Sequence, residues 1–451
     1  MSKLIFGRVE AWLLWLVVLL GLFGMVAFGG LVLLIERGSG FGGAAGRAAH
    51  ELAAIPLTLR ELSRPDRRTY AFASRFDGIP SGWSFAAGTP PKGLAGYLLV
   101  SRLDGDRQRH AVELLDLSDW TIRHTWLPDA DRLLEGVTPL SPLVENTNMS
   151  RAYYRAIHPF LLDTGGLVIK DQYSPAIGID ACARRDWFLN EPVFSHSAEM
   201  DANGDLWMPA HPVVAPELRW KKQFRDDSLV RLSPDGKILE TISMREVVIN
   251  AGKSYLLFPT TVFDDDPLHV NDIQPVLADG PHWKKGDLFV SMRGPSLVLL
   301  YRPSTGKIIW MQAGPWLKQH DIDILDDHRI SIFSNNTTDY GNGPRVDGHS
   351  DVMIHDFDTG ETTTPWSKVF ADNDVETTFE GLADTLPGGY LFVEEANSGR
   401  LLLISPSGEL VGQYINRAGD GQVYRMGWSR YIAAQYGDPI AERLEKVHCD
   451  E

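Results

Sequence analysis

A repeated pattern of a turn followed by a strand limits most strongly what this chain can fold into. The eight residues GDLFVSMR, Gly286–Arg293, recur with changes at four other places. After each octet comes another strand that ends in a turn of the Pro-Asp-Gly type, as in LVRLSPDGKIL, and such turns connect β-hairpins. The related octets are GGLVIKDQ (Gly165–Gln172), GDLWMPAH (Gly204–His211), HRISIFSN (His328–Asn335) and GGYLFVEE (Gly388–Glu395).

The repeat predicts an all-β protein, a six-bladed β-propeller preceded by one N-terminal transmembrane helix. With an earlier segment around GYLLVSRLDG, it gives six units of about four strands each, starting near residues 80, 155, 193, 266, 318 and 378. A β-sandwich is the alternative, but it does not explain the repeat. The segment YRMGWSRYI, Tyr424–Ile432, is expected either to complete a blade or to close the ring.

Histidines stand at a fixed place before the octets. His196 and His320 lie eight residues before their octets, as does Glu380, and His158 lies seven before, whereas an insertion separates His269 from Gly286. Because the first strand of each blade lines the channel of a propeller, we expect these residues to converge on one axial site. The last residues of the octets predict a second ring at the mouth or at blade contacts: Gln172, His211, Arg293, Asn335 and Glu395.

Three of these histidines begin an H-x-x-[DE] pattern, with acids at Glu199, Asp272 and Asp323. Positions i and i+3 of a strand face opposite sides, so each acid cannot orient its own histidine. We therefore expect the acids to bond to the backbone or to a neighbouring blade.

A ring of histidines with one arginine suits two kinds of chemistry. Neutral imidazole is a nucleophile that can carry a transferred group, and a guanidinium matches the oxygens of sulfate or phosphate. Alternatively, four imidazoles can bind Fe, Cu or Zn, with Glu380 as an outer partner. Arg293 near the centre would repel such a cation. A third hypothesis is a non-enzymatic scaffold propeller in the cell envelope.

Four short motifs resemble those of the arylsulfotransferase family. They are HVNDI at His269, SMR ending at Arg293, QHDIDIL around His320, and the following SNNTTDYGNGPR. The resemblance implies a six-bladed propeller that moves a sulfuryl group from an aryl sulfate to a phenolic or hydroxyl acceptor, with no cofactor, no metal and no nucleotide donor. No G-x-x-x-x-G-K-[ST] phosphate loop occurs in the sequence, which agrees with this.

The resemblance also implies roles for individual residues. His320 would carry the sulfuryl group, His269 would be the general acid and base, Arg293 would bind the sulfuryl oxygens, and His196 would stabilise the transferred group. Five more residues are expected to line the substrate site: Asn271, Asn335, His158, Glu380 and His211.

The uncharged segment from Ala11 to Ile35 predicts a membrane anchor. At about 1.5 Å per residue, a helix of this length crosses a hydrocarbon core of about 30 Å. A cleaved secretory signal is the alternative. Lys3 and Arg8 precede the segment, which favours a single-pass protein of the bacterial inner membrane with its large domain in the periplasm.

The expected divisions are an anchor at 1–37, a linker with a short helix (Ala48–Leu62) at 38–69, a propeller at 70–436 and a tail at 437–451. The two cysteines, Cys182 and Cys449, can pair outside the cytoplasm, but their spacing does not decide it. The net charge of −16 argues against a nucleic-acid partner. An anionic substrate therefore requires a locally positive channel.

Overall fold

The computed structural model describes residues 10–36, 45–46, 48–49, 52–53, 70–71, 73–138, 140–141, 143–144, 149–212, 224–261, 263–341 and 343–449. The chain forms two compact units, Met1–Arg67 and Arg68–Glu451, which are described separately below. The linker at 38–69 and the helix expected within it, Ala48–Leu62, lie mostly outside the described residues.

The first unit contains one long helix, Ala11–Glu36, with exposed apolar side chains around its surface. Its Ala11–Leu33 part is long and apolar enough to cross a membrane, and a signal sequence meets the same criteria. A helix that is apolar on all faces is unfavourable in water, which agrees with either of the two predicted uses of this segment.

The described part of the second unit is built mainly from five antiparallel sheets in a propeller-like arrangement, which confirms the predicted all-β class. We number these sheets along the chain. The first contains Tyr97–Asp104, Arg109–Asp116, Thr121–Trp126 and Arg430–Ile432. The second has eight strands: Phe160–Leu161, Leu167–Ile169, Ser174–Ile179, Arg185–Phe194, Glu199–Met200, Leu206–His211, Ser228–Leu232 and Ile238–Ser243.

The other three sheets follow in chain order. The third contains Val270–Pro275, Leu288–Met292, Leu297–Arg302 and Lys307–Ala313. The fourth contains His320–Ile324, Arg329–Ser334, Asp351–Asp356 and Thr362–Thr363. The fifth contains Leu382–Leu386, Tyr390–Glu395, Arg400–Ile404, Leu410–Ile415 and Gly82–Phe85.

Short ribbons and helices connect these sheets. Two-stranded ribbons join Tyr70–Ala71 to Val423–Tyr424 and Thr337–Thr338 to Arg345–Val346. The α-helices are Ala130–Leu133, Met244–Asn250, Ser367–Asp372 and Ala434–Leu444, and the 3₁₀ turns are Ala73–Phe76, Ser254–Leu256, Pro303–Thr305, Pro387–Gly389 and Ala396–Ser398.

Each end of the second unit contributes a strand to a sheet that is formed mainly by the other end. Arg430–Ile432, from the end of the chain, pairs with Tyr97–Leu99 and becomes the inner strand of the first sheet. Gly82–Phe85, from the beginning, pairs with the outer strand of the fifth sheet. The segment Tyr424–Ile432 therefore completes a sheet, as one of the two predictions for it stated.

Apolar cores fill the space between successive sheets. Leu299 and Leu229 pack between the second and third sheets, and Val298 packs with Ile332 between the third and fourth. Further cores join the fourth sheet to the fifth, the fifth to the first, and the first to the second. Burial of apolar surface contributes about 25 cal/mol per Å² to the free energy of folding. Each sheet buries both of its faces only when both neighbouring sheets are in place.

Buried acids on the inner strands bind backbone amides of the next sheet. Asp272 accepts a hydrogen bond from the Ile322 amide at 2.7 Å, and Asp384 accepts one from Tyr431 at 2.9 Å. The prediction that Asp272 bonds to a neighbouring blade is confirmed. Glu199 also contacts neighbouring strands and not its own His196: it lies 3.4 Å from Nε2 of His158 and 3.5 Å from Arg430 of the first sheet.

A disulfide joins Cys182 to Cys449, which decides the question that the sequence left open. It links the turn after Ser174–Ile179 to the end of the described chain. The nearby helix Ala434–Leu444 packs Ile440 and Leu444 into the core between the first and second sheets. The C-terminal segment is thus fixed both covalently and by packing.

We predict that the protein becomes less stable as the pH rises from about 4 to about 7, partly because of Asp272. Burial and the neighbouring Glu199 raise the pKa of Asp272 from 3.8 to about 7. The folded state therefore keeps a proton that the unfolded state has lost, so stability decreases through this range. Thermal unfolding followed by circular dichroism should show a weaker pH dependence for Asp272→Asn.

An Asn at this position keeps a side-chain oxygen for the Ile322 amide and carries no charge. The matched control is Asp372→Asn on an exposed helix, which should retain the dependence of the native protein. An unchanged slope in Asp272→Asn would contradict the assignment.

Candidate functional site

The inner strands of the sheets begin with an unusual backbone conformation. The non-glycine residues His158, His196, His269, Glu380 and Trp428 have φ between 45° and 66°. This left-handed conformation is costly for a residue with a Cβ and is often found at functional sites. It turns the chain sharply where each strand reaches the centre.

The fourth sheet departs from this register. There the left-handed residue is Asp321, with φ 50°, and not His320. The pairing of the strand shifts between His320 and Ile322, as it does between Val270 and Asp272 in the third sheet, so His320 takes the place of Val270 and not that of His269. His320 therefore does not occupy a position equivalent to that of the other histidines, although its ring reaches the same place.

Three of the predicted histidines meet. The ring centroid of His196 lies 5.2 Å from that of His269 and 6.0 Å from that of His320. His158 is turned toward Trp428, with the ring centroids 5.0 Å apart. The Trp428 ring also contacts His320 at 6.0 Å, so it separates His158 from the triad of imidazoles.

The side chain of Asn335 determines which nitrogen of His320 carries hydrogen. Nδ2 of Asn335 donates to the carbonyl oxygens of Thr377 and Glu380, at 2.8 and 2.7 Å, so the amide has only one possible orientation. Its Oδ1 then faces Nδ1 of His320 at 2.7 Å and must accept a hydrogen bond from it, so Nδ1 carries the hydrogen. Nε2 of His320 consequently holds the lone pair.

His320 is neutral in this environment. Burial, followed by the positive charge of Arg293, lowers its pKa to about 3. The lone pair on Nε2 accepts only a long hydrogen bond, 3.3 Å, from the Glu380 amide. A neutral imidazole with a weakly engaged nitrogen is suited to nucleophilic attack.

His269 is held by an acid that the sequence analysis did not identify. Oδ2 of Asp266 lies 2.6 Å from Nδ1 of His269 and also binds Arg225 at 3.1 Å. Burial alone raises the pKa of Asp266, but the charge of His269 and their hydrogen bond hold it well below its ordinary value. Asp266 thus stays anionic and leaves Nε2 of His269 to exchange protons.

Arg293 lies close enough to His320 to lower its pKa, and this arginine and the neighbouring Lys318 have no close carboxylate. Within the described ranges, neither Arg293 nor Lys318 has a carboxylate oxygen within 4.0 Å, and Nε of Arg293 is buried without a hydrogen-bond partner. The Arg293 guanidinium lies 5.0 Å from the centre of the Phe379 ring, which is 37% exposed. Arg293 therefore supplies positive charge next to His320, as an anionic substrate requires.

The remaining predicted residues have other contacts. Nδ2 of Asn271 donates to the Gln319 carbonyl at 2.7 Å, and its Oδ1 is buried without a partner. The Glu380 carboxylate pairs with Arg155 at 3.0 Å. The His211 ring lies 5.0 Å from Tyr173, and burial lowers the pKa of His211 to about 4.

Two members of the predicted second ring, Glu395 and Gln172, form contacts away from the imidazoles. Glu395 binds the side chains of Arg75 and Arg400, and its Oε1 also accepts the Glu376 amide. The backbone amide of Gln172 donates to the Asp171 carboxylate at 2.7 Å. Of that ring, Asn335 bonds to His320, and Arg293 places its charge near the same imidazole.

Sequence reasoning missed three residues of this site. Trp428 precedes the inner strand Arg430–Ile432 of the first sheet, and the rest of that sheet lies at the other end of the second unit, so no spacing before an octet marks this residue. Lys170 is buried and donates to the carbonyl oxygens of Ile157 and His196; burial lowers its pKa to about 7. Asp266 lies in the run Asp264–Asp266, where no pattern distinguishes one acid from another.

The imidazoles do not form a compact set of metal ligands. In the part of the chain that the structure describes, the one group of three potential ligands within 4.8 Å of one another is Asp326, Asp327 and His328, on an outer turn. At the centre, Nδ1 of His269 and Nδ1 of His320 are already bonded to Asp266 and Asn335. This arrangement does not fit the metal hypothesis.

Comparison with known families gives one match. The family model described as Arylsulfotransferase (ASST) matches residues 182–417, slightly more than half of the chain. This range includes the three converging imidazoles, Arg293 and Asn335. The comparison with curated proteins gave no match.

Solved structures resemble the chain only distantly. A protein of unknown function from Bacteroides caccae is 13% identical, with 75% of this chain and 99% of that chain covered and a TM-score of 0.44. A functionally unknown protein from Desulfotomaculum acetoxidans is 10% identical, with 75% and 99% covered and a TM-score of 0.39. Virginiamycin B lyase from Staphylococcus aureus is 12% identical, with 57% of this chain and 69% of that chain covered and a TM-score of 0.33.

We predict that Asn335→Asp raises the pKa of His320 by at least about one unit, because a carboxylate 2.7 Å from Nδ1 stabilises imidazolium. NMR titration of ¹⁵N-labelled histidines in the full chain measures this change. Asn271→Asp is the matched control, since Asn271 bonds to Gln319 and leaves Nδ1 of His320 untouched. Equal His320 titration in both variants would contradict the assigned contact.

Proposed function

Because the chain belongs to the arylsulfotransferase family, we propose that it moves a sulfuryl group from an aryl sulfate to a phenolic or hydroxyl acceptor. We propose further that the group is carried on His320 as a sulfohistidine and that no nucleotide donor takes part. The observation that supports this best is the Asn335 contact, which fixes the lone pair of a buried, neutral imidazole on Nε2.

In the first step, Nε2 of His320 attacks the sulfur atom of the donor. The N–S bond forms while the bond from sulfur to the phenolic oxygen breaks, and the long contact from the Glu380 amide is released. The leaving oxygen takes a proton from Nε2 of His269, whose Nδ1 donates to Asp266 throughout. This step leaves a sulfated His320, a neutral His269 and a free phenol.

In the second step, the acceptor hydroxyl attacks the same sulfur. His269 takes the proton of the hydroxyl, a new S–O bond forms, and the N–S bond breaks. His320 regains its lone pair, and His269 regains its proton, so both residues return to their starting forms. One histidine thus acts as acid and then as base, which a double-displacement route requires.

Positive charge compensates the sulfuryl oxygens during both steps. The buried Nε of Arg293 has no partner within the described structure, so the guanidinium is available to an oxyanion. His196 lies against both other rings, and burial, followed by the charge of His269, holds its pKa well below the ordinary value. A neutral His196 can donate one N–H to the transferred group, and Asn271 has a free oxygen nearby.

We propose a six-bladed propeller as the scaffold. The eight-stranded second sheet would consist of two blades joined at Arg185–Phe194 and Leu206–His211, where only two residue pairs are in register. The side chains of its two halves also pack on each other, as do Val168 and Met208 within one core. Counted in this way, the sheets give six units of about four strands.

We propose that Ala11–Leu33 anchors the protein in a bacterial inner membrane, with the large unit in the periplasm. The disulfide between Cys182 and Cys449 supports an oxidising compartment for the large unit, because cytosolic thiols are kept reduced. The apolar helix supports the anchor by its length.

The central prediction is a covalent intermediate on His320. When the full chain in detergent is incubated with p-nitrophenyl sulfate, nitrophenol should be released, and intact mass spectrometry should detect one added SO₃ group. His320→Asn should show no adduct and lose at least about 1,000-fold in rate. His158→Asn, which changes a histidine separated from the triad by Trp428, is the control and should keep the adduct.

Failure to form an adduct with several aryl sulfates would contradict the sulfohistidine. An adduct that maps by peptide analysis to His269 or His196 would contradict the assignment of His320.

We also predict that Asp266→Asn slows transfer by about 100-fold, because the amide leaves His269 with the wrong orientation or tautomer. The change should affect donors with poor leaving groups more than p-nitrophenyl sulfate, whose phenolate needs little protonation. Comparing phenyl sulfate with p-nitrophenyl sulfate measures this difference. Equal slowing with both donors would indicate that Asp266 has only a structural role.

A further inference from the structure

Five arginines line a cavity of about 770 Å³ on the second unit, at the first and second sheets. They come from four places: the start of the strand Arg109–Asp116, the helix Ala130–Leu133, the turn that contains Arg151, and the junction of a turn with the strand Arg185–Phe194. The disulfide between Cys182 and Cys449 forms part of the wall. The arginines are Arg109, Arg132, Arg151, Arg184 and Arg185. We call this cavity the arginine pocket.

The pocket has little negative charge of its own. Among the described residues, Asp129 is the one acidic residue in its lining, and its Oδ2 lies 3.9 Å from both Arg109 and Arg151. Its other oxygen, Oδ1, is buried and has no hydrogen-bond partner within the same described ranges. One carboxylate at these distances does not neutralise two guanidiniums.

Arginines elsewhere on this acidic chain are paired much more closely. Arg302 lies 2.7 Å from Asp287, and Arg123 lies 2.8 Å from Asp116. The chain has 59 acidic and 43 basic side chains, so carboxylates to pair with these arginines are plentiful. In the pocket Arg184 pairs with Asp180 at 3.3 Å, whereas the other four arginines have no carboxylate oxygen of a described residue closer than 3.9 Å. The weak pairing of these four is therefore a local exception.

The guanidiniums in the pocket repel one another. The Arg109 side chain is only 22% exposed, and both its burial and the charge of Arg151 lower its pKa. Arg107 and Arg132 add to the same repulsion. An anion placed among these groups would relieve the repulsion and would accept hydrogen bonds from several planar forks of donors.

Neighbouring contacts fix the walls of the pocket. Nη1 of Arg185 donates to the Leu133 carbonyl at 2.6 Å, and the His124 ring bonds to the Ala181 carbonyl at 2.7 Å. The amide of Arg151 donates to Asp131 at 3.0 Å. A rigid, preformed cavity loses less entropy when it binds a ligand.

We propose that the arginine pocket binds an organic anion that carries two or more sulfate-ester or phosphate-ester groups. The volume suits a small organic molecule more than a single inorganic ion. Two sources present this chemistry, a soluble sulfated or phosphorylated saccharide and the headgroup of an anionic phospholipid. The site is distinct from the imidazole site and does not depend on the proposed sulfuryl transfer.

Native mass spectrometry of the full chain in detergent tests the proposal. The two probes are sucrose octasulfate and tetraoleoyl cardiolipin, a phospholipid with two phosphodiester groups, each added to the native protein and to Arg132→Ala/Arg184→Ala. Both substituted side chains are exposed, so the fold should be kept. Arg302→Ala/Arg329→Ala removes the same charge outside the pocket and serves as the control.

We expect one adduct that the pocket variant weakens by about tenfold or more and that the control retains. If the pocket variant weakens the octasulfate adduct, the ligand is a soluble saccharide. If it weakens the lipid adduct, the ligand is a phospholipid headgroup. The variant should release nitrophenol from p-nitrophenyl sulfate at the native rate. If both adducts form equally in the native protein and the pocket variant, or if neither forms, the proposal is wrong.

Discussion

Hydrogen bonds between buried acids and the amides of the next sheet determine how the inner strands meet. Asp272, Asp321 and Asp384 each accept an amide that belongs to the inner strand of a following sheet. An unpaired buried amide would cost about 1–3 kcal/mol, so each bond favours one offset between neighbouring sheets. Since the imidazoles of the proposed active site stand at or near the beginning of these strands, the same bonds set the distances between them.

Much of this architecture follows from the sequence, because turns and strands leave local patterns. The octets predicted the strands, and the residues before them predicted that His196, His269 and His320 lie close together. The register shift at His320 was not predictable, since it results from pairing with a strand that carries no matching mark. Asp266 was also hidden, because its role depends on the path of a loop and not on a period.

The sequence suggested a histidine ring, but the structure distinguishes its members. His158 has the same backbone conformation as His196 and His269, yet Trp428 separates it from them. Asn335 was expected to line the substrate site, and the structure adds that its side chain holds His320 in one tautomer. A repeat specifies where a residue lies, whereas its neighbours from other sheets specify what it can do.

The left-handed residues have a consequence for how variants of the centre are interpreted. An alanine at His196 or His269 would have to keep φ near 50°, which costs backbone energy that glycine or asparagine avoids. An alanine scan at these positions would therefore mix lost chemistry with strain, and a scan with glycine and asparagine would separate the two. His320 does not carry this conformation, so truncation there reports the imidazole alone.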